Sequence, residues 1–154
     1  MLVNIEKNIL FLFFVMATII FVKNNKTNLK KIQMTLIKSI SGIRGTIGGK
    51  VGDNLTPVDA VKFASAYGTF LKNNINKDKL KVVIGRDARI SGPMIHNLVV
   101  NTLIGLGIDV IDLGLSTTPT VEVAVPMEQA DGGIILTASH NPKQWNALKL
   151  LNAK

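Results

Sequence analysis

From Leu36 onward, short apolar runs alternate with stretches of helical periodicity. Residues 36–40, 81–85, 109–114, 131–136 and 147–151 read as strands. Thr56-Pro57 opens a helix with an N-cap and a first-turn proline, and Val58, Val61, Phe63, Ala64, Tyr67, Phe70 and Leu71 mostly follow its stripe. A second helix is expected from Pro93 to Gly107, with His96 as a packing or surface residue. A third starts at Thr118-Pro119 and runs to about Gln129. This order predicts an α/β fold, an open three-layer α/β/α arrangement whose sheet is largely parallel. In such folds ligands gather beyond the carboxyl ends of the strands.

Residues 1–33 break the pattern. Ile9 to Val22 is an uncharged run of 14 residues, with Lys7 before it and Lys23, Lys26, Lys30 and Lys31 after it. A bilayer span needs roughly 20 apolar residues, and no small-residue cleavage site follows. An over-extended start before Met34, a membrane anchor and an uncleaved targeting segment are the readings. The first is preferred, with a domain expected over 34–154. A cytoplasmic setting goes with it; if residues 9–22 are translated and inserted, the lysines favour a cytoplasmic side for the domain.

Composition narrows the classes. The 154 residues are 47% hydrophobic and contain no cysteine, so a core is affordable and a disulfide framework is excluded. Half of the +8 net charge sits on residues 1–33, and no basic stripe is interleaved with aromatics. A nucleic-acid partner is therefore not expected.

Polar residues collect where the strands end. Ser41-Gly42-Ile43-Arg44-Gly45-Thr46-Ile47-Gly48-Gly49 reads as a glycine-rich loop whose Arg44 either meets an anion or lies solvated in a plain hairpin turn. Arg86-Asp87-Ala88-Arg89 follows a buried strand; guanidiniums suit bidentate phosphate contact, and an internal salt bridge with Asp87 is the other reading. Thr137-Ala138-Ser139-His140-Asn141-Pro142 places a hydroxyl at the mouth of another strand. A serine hydrolase is disfavoured, since adjacent Ser139 and His140 side chains diverge and the Gly-x-Ser-x-Gly elbow is absent. Phosphoryl transfer, which needs a positioned oxygen and cationic neutralisation, fits better. Lys149 interrupts an apolar strand and is either a cationic partner or the solvated side of an edge strand.

Thr137–Pro142, followed by Asn146 and Lys149, resembles the active-site signature of the α-D-phosphohexomutases, which include phosphoglucosamine mutases, phosphomannomutases and phosphoglucomutases. Gly42-Ile43-Arg44-Gly45 and Gly85-Arg86-Asp87-Ala88-Arg89 resemble two further first-domain motifs in the same order. Ala147 stands where the family usually has Gly, Trp145 where Tyr is common, and Ser39-Ile40-Ser41 replaces the commoner lead-in. The resemblance implies that Ser139 is a phosphoserine serving a hexose phosphate through a hexose 1,6-bisphosphate intermediate. It implies that Arg44, His140 and Lys149 lie beside it and that Arg86, Arg89 and Asn141 bind substrate or phosphate. It also implies a Mg²⁺ ion on a Ser139 phosphate oxygen, shared with a later domain. Since the family's later motifs do not appear before Lys154, the chain is expected to be the phosphoserine domain without turnover of its own. The alternative is a truncated, non-catalytic sugar-phosphate-binding paralogue.

Overall fold

A computed structural model describes residues 34–153. The expectations for residues 9–22 lie outside these described residues. Among the described residues no helix is long and apolar enough to cross a membrane.

The elements in chain order are β1 (Ile37–Ser39), β2 (Gly42–Thr46), α1 (Pro57–Asn74), β3 (Lys81–Arg86), α2 (Gly92–Gly105), β4 (Asp109–Leu115), α3 (Thr118–Met127), β5 (Gly132–Leu136) and β6 (Trp145–Asn152). The six strands form one sheet in the order β1-β2-β6-β5-β3-β4. It is mixed rather than largely parallel. Only β3 pairs in parallel, with β4 and β5; the β1–β2, β2–β6 and β5–β6 pairs are antiparallel. Connection length decides this. Parallel neighbours need a long crossover, here supplied by α2 and α3, whereas the short segment between β5 and β6 permits only a hairpin. The expected glycine loop is likewise half strand: Gly42–Thr46 is β2, joined to β1 through a tight turn carrying the fully exposed Ile40.

Helices cover both faces. Leu55, Val82, Ile84, Ile95, Leu103, Ile134, Leu136 and Leu148 are buried on the side of α1 and α2. Val83, Val121, Val125, Ala130 and Ile135 are buried on the side of α3. Gly132 permits close packing on the first side, since a Cβ there would stand 2.0 Å from the Tyr67 hydroxyl. That hydroxyl donates to the Leu151 carbonyl at 2.7 Å, tying α1 to β6.

The helix starts follow their sequence signals with two adjustments. Thr56 caps α1 in a capping box with Asp59: the Asp59 N–H donates to Thr56 Oγ1 at 3.3 Å, and the carboxylate accepts the Thr56 N–H and hydroxyl. The cap of α3 is Thr117, one residue before the expected Thr118, and its Oγ1 accepts the Thr120 N–H. Ser91 precedes α2 without capping it; its hydroxyl accepts instead from Asn146 Nδ2 at 2.9 Å. His96 packs as expected, its Nε2 lying 3.0 Å from Asp112 Oδ1.

Candidate active site

The loop between β5 and β6 runs from Thr137 to Gln144 beside the carboxyl end of β3. Ser139 is exposed at its crest with φ 52°. Left-handed backbone costs a non-glycine residue roughly 1–2 kcal/mol, so something must hold it. Gln129 and Ser139 are the two non-glycine residues with positive φ among the described ones. Ala147, where the family usually has glycine, therefore needs no glycine for its backbone.

What holds Ser139 is a closed polar ring. The Ser139 N–H donates to Thr137 Oγ1 at 3.1 Å, and the Thr137 hydroxyl donates to Asp87 Oδ2 at 2.7 Å. Asp87 also accepts from the Arg89 N–H at 3.1 Å and from Arg89 Nε at 3.2 Å. Arg89 then returns to the loop. Its Nη1 donates to the carbonyls of Pro142 (2.8 Å) and Trp145 (3.0 Å), and its Nη2 to those of Ser139 (2.7 Å) and Asn141 (2.9 Å). A guanidinium has five N–H donors, and all five are engaged.

This bears on the expected phosphate ligands. Arg89 has no donor left for a phosphate in this conformation; the internal pair with Asp87 accounts for one of its bonds and the loop carbonyls for the rest. Arg86 ends β3 on the side of α1 and α2, in register with Leu136, and its Nη1 donates to the Asp87 carbonyl at 3.3 Å. Asn141 gives its carbonyl to Arg89 and its N–H to the Ala138 carbonyl. Its Oδ1 is buried without a hydrogen-bond partner.

Arg44 and Lys149 come together through the sheet. Arg44 on β2 is in register with Ala147 on β6, so Arg44, Ala147 and Lys149 share the face that α3 partly covers. Lys149 is not on an edge strand: β6 is paired on both sides, with Ile135 opposite Lys149. Gly42 makes room for its stem, because a Cβ there would stand 3.1 Å from Lys149 Cγ. Arg44 Nε is buried without a hydrogen-bond partner. Arg86 lies on the opposite face and does not join this pair. His140 is exposed next to Ser139.

Thr137, Asp87 and Asn146 are the residues that sequence reasoning underused. Thr137-x-Ser139 and Asp87-x-Arg89 share one pattern, a side-chain oxygen accepting the N–H two residues on. That repetition was a readable signal for two turns. That the turns bond to each other across 50 residues was not.

The chain is an α/β domain with an exposed serine on a hydrogen-bonded loop and Arg44 and Lys149 on one face of the adjoining strands. The family model of the phosphoglucomutase/phosphomannomutase α/β/α domain I matches residues 36–154, and the chain belongs to this family. It is 42% identical over 109 residues to a phosphoglucomutase/phosphomannomutase of Thermococcus kodakarensis, covering 70% of this chain and 24% of that protein. It is 44% identical over 110 residues to a "Probable phosphoglucosamine mutase" of Pyrococcus horikoshii, covering 71% and 22%. Among solved structures, a phosphoglucomutase/phosphomannomutase family protein from Burkholderia thailandensis is similar, with TM-score 0.61 and 25% identity over 82% of this chain and 27% of that one. The chain thus spans about a quarter of the length of these relatives.

Proposed function

We propose that Ser139 carries the phosphoryl group in a hexose-phosphate mutase. The enzyme would interconvert sugar 1-phosphate and 6-phosphate through a hexose 1,6-bisphosphate, with phosphoglucosamine or phosphomannose/phosphoglucose as the sugar. The observation that carries this reading is the exposed Ser139 held with left-handed φ while its N–H and carbonyl are tied inward. In the forward step the bond between phosphorus and Ser139 Oγ breaks as one forms to a sugar hydroxyl. The proton of that hydroxyl leaves to a base while Ser139 Oγ takes one up as it departs. In the return step Ser139 Oγ gives up its proton as it takes the phosphoryl group from the other end of the bisphosphate, and the released sugar oxygen is protonated. Arg44 and Lys149 supply positive charge on the neighbouring face, and His140 adds a group beside the serine.

A Mg²⁺ ion would find little here besides the phosphate oxygen on Ser139. Among the described residues no cluster of three or more His, Asp or Glu could hold a metal, and Asp87 is engaged by Arg89 and Thr137. The ion would be held by a phosphate oxygen on Ser139 together with ligands from a later domain, and would there offset charge on the phosphoryl group.

Within this reading the 154-residue chain accepts a phosphoryl group but does not complete the isomerisation. A cytoplasmic setting goes with this reading; only if residues 9–22 are inserted in a membrane would the Lys-rich stretch after Val22 hold the domain on the cytoplasmic side. The test is incubation of the purified chain with glucose 1,6-bisphosphate, followed by intact-mass and peptide mapping. One phosphoryl mass on Ser139, lost in Ser139→Ala, is expected. A folded chain that stays unmodified, or is modified elsewhere, overturns the carrier role.

A further inference from the structure

We infer that Thr137, Asp87 and Arg89 act as a positioning clamp for Ser139, so that Oγ is the one polar atom of that serine left free to react; this rests on the carrier reading above. The Ser139 N–H is spent on Thr137 and its carbonyl on Arg89. Rotation of the peptide units on either side would have to break one of those bonds, so the left-handed φ of the exposed Ser139 is fixed. Charge developing on Oγ as a phosphoryl group departs is therefore not met by the residue's own amide and falls to neighbouring cations.

The centre of the clamp is Thr137, which is 8% exposed. The Asp87 carboxylate can only accept, so Thr137 must donate to it, leaving a Thr137 lone pair for the Ser139 N–H. Donating and accepting through one atom requires a hydroxyl. Serine can replace threonine there; valine, of nearly the same shape, cannot. Asp87 in turn aligns the Arg89 fork through its Nε, and the fork gathers three loop carbonyls and that of Trp145 at the start of β6. Arg89 is thus a positioning residue that acts on the reacting serine through the loop.

The experiment measures amide hydrogen exchange at Ser139 and His140 by NMR, and the phosphorylation rate of Ser139 by glucose 1,6-bisphosphate, in the full chain and in T137V and T137S. In the wild-type chain the Ser139 amide should exchange more slowly than that of His140, for which no acceptor is present among the described residues. T137V should raise Ser139 exchange roughly tenfold, the worth of one hydrogen bond, and slow phosphorylation by a similar factor. T137S should restore both towards wild type. Equal exchange at Ser139 and His140 in the wild-type chain overturns the clamp whether or not T137V folds. So does a folded T137V indistinguishable from wild type, or a T137S as impaired as T137V. A protected Ser139 that takes up no phosphoryl group supports the clamp and overturns the carrier reading instead.

Discussion

Two aspartates in this domain do similar chemistry for different ends. Asp59 and Asp87 each accept a threonine hydroxyl together with backbone N–H donors, two at Asp59 and one at Asp87. Asp59 does so within three residues of Thr56, buried at the start of α1, and closes a helix end. Asp87 does so with Thr137, 50 residues away, and joins the ends of β3 and β5 beneath an exposed serine. The local network satisfies the backbone that carries it. The long-range one holds its neighbour in a conformation that the neighbour would not choose. The same bonds therefore relieve strain in one place and maintain it in the other.

The comparison is broken most forcefully at Arg89. Arg89→Ala removes five donors at once from a side chain that is 12% exposed. A loss of about 3 kcal/mol is expected, with the loop opened, because four carbonyls and a partly buried carboxylate lose their partner. Denaturant unfolding with unchanged slope would measure it, and a loss below that of a surface substitution would remove Arg89 from the network.

At the other aspartate the effect is smaller and depends on pH. Burial pushes the Asp59 carboxyl up, but hydrogen bonds from the Thr56 hydroxyl and the Thr56 and Gly52 N–H groups outweigh it and hold the group below its ordinary value of 3.8. Its contribution is present above that unfolded value and is lost as pH falls through the lower folded value. Asp59→Asn should cost about 1 kcal/mol at neutral pH and progressively less in acid. Melting curves at neutral pH and near pH 3 check the convergence; a constant difference would contradict the sign.

The smallest effect has the opposite direction. Ser139→Gly relieves the left-handed strain while adding flexibility to the unfolded chain. A net stabilisation of up to about 1 kcal/mol is expected, together with loss of phosphoryl uptake. Ser139→Ala, which removes the hydroxyl but keeps the Cβ, should leave the melting temperature close to wild type. A glycine variant that melts below the alanine variant would mean that Ser139 is not strained.

The sequence by itself determined what depends on near neighbours. Five of the six strands and the three helices followed from periodicity, while β2 reads as a loop, and Thr56-Pro57 marked the start of α1, because capping and φ restriction act within three or four residues. The resemblance of Thr137–Pro142 to the phosphohexomutase signature located the loop, and the match over residues 36–154 assigns the family. The mixed sheet was less legible, since pairing depends on which strands meet after the chain has turned back. Tertiary structure alone decided the fate of the arginines. In sequence, Arg44, Arg86 and Arg89 are equivalent cations near strand ends. Folded, Arg44 shares a face with Lys149, Arg86 lies on the other face, and Arg89 is consumed by loop carbonyls. A guanidinium's role is set by which acceptors reach it first, and those acceptors lie up to 56 residues away along the chain.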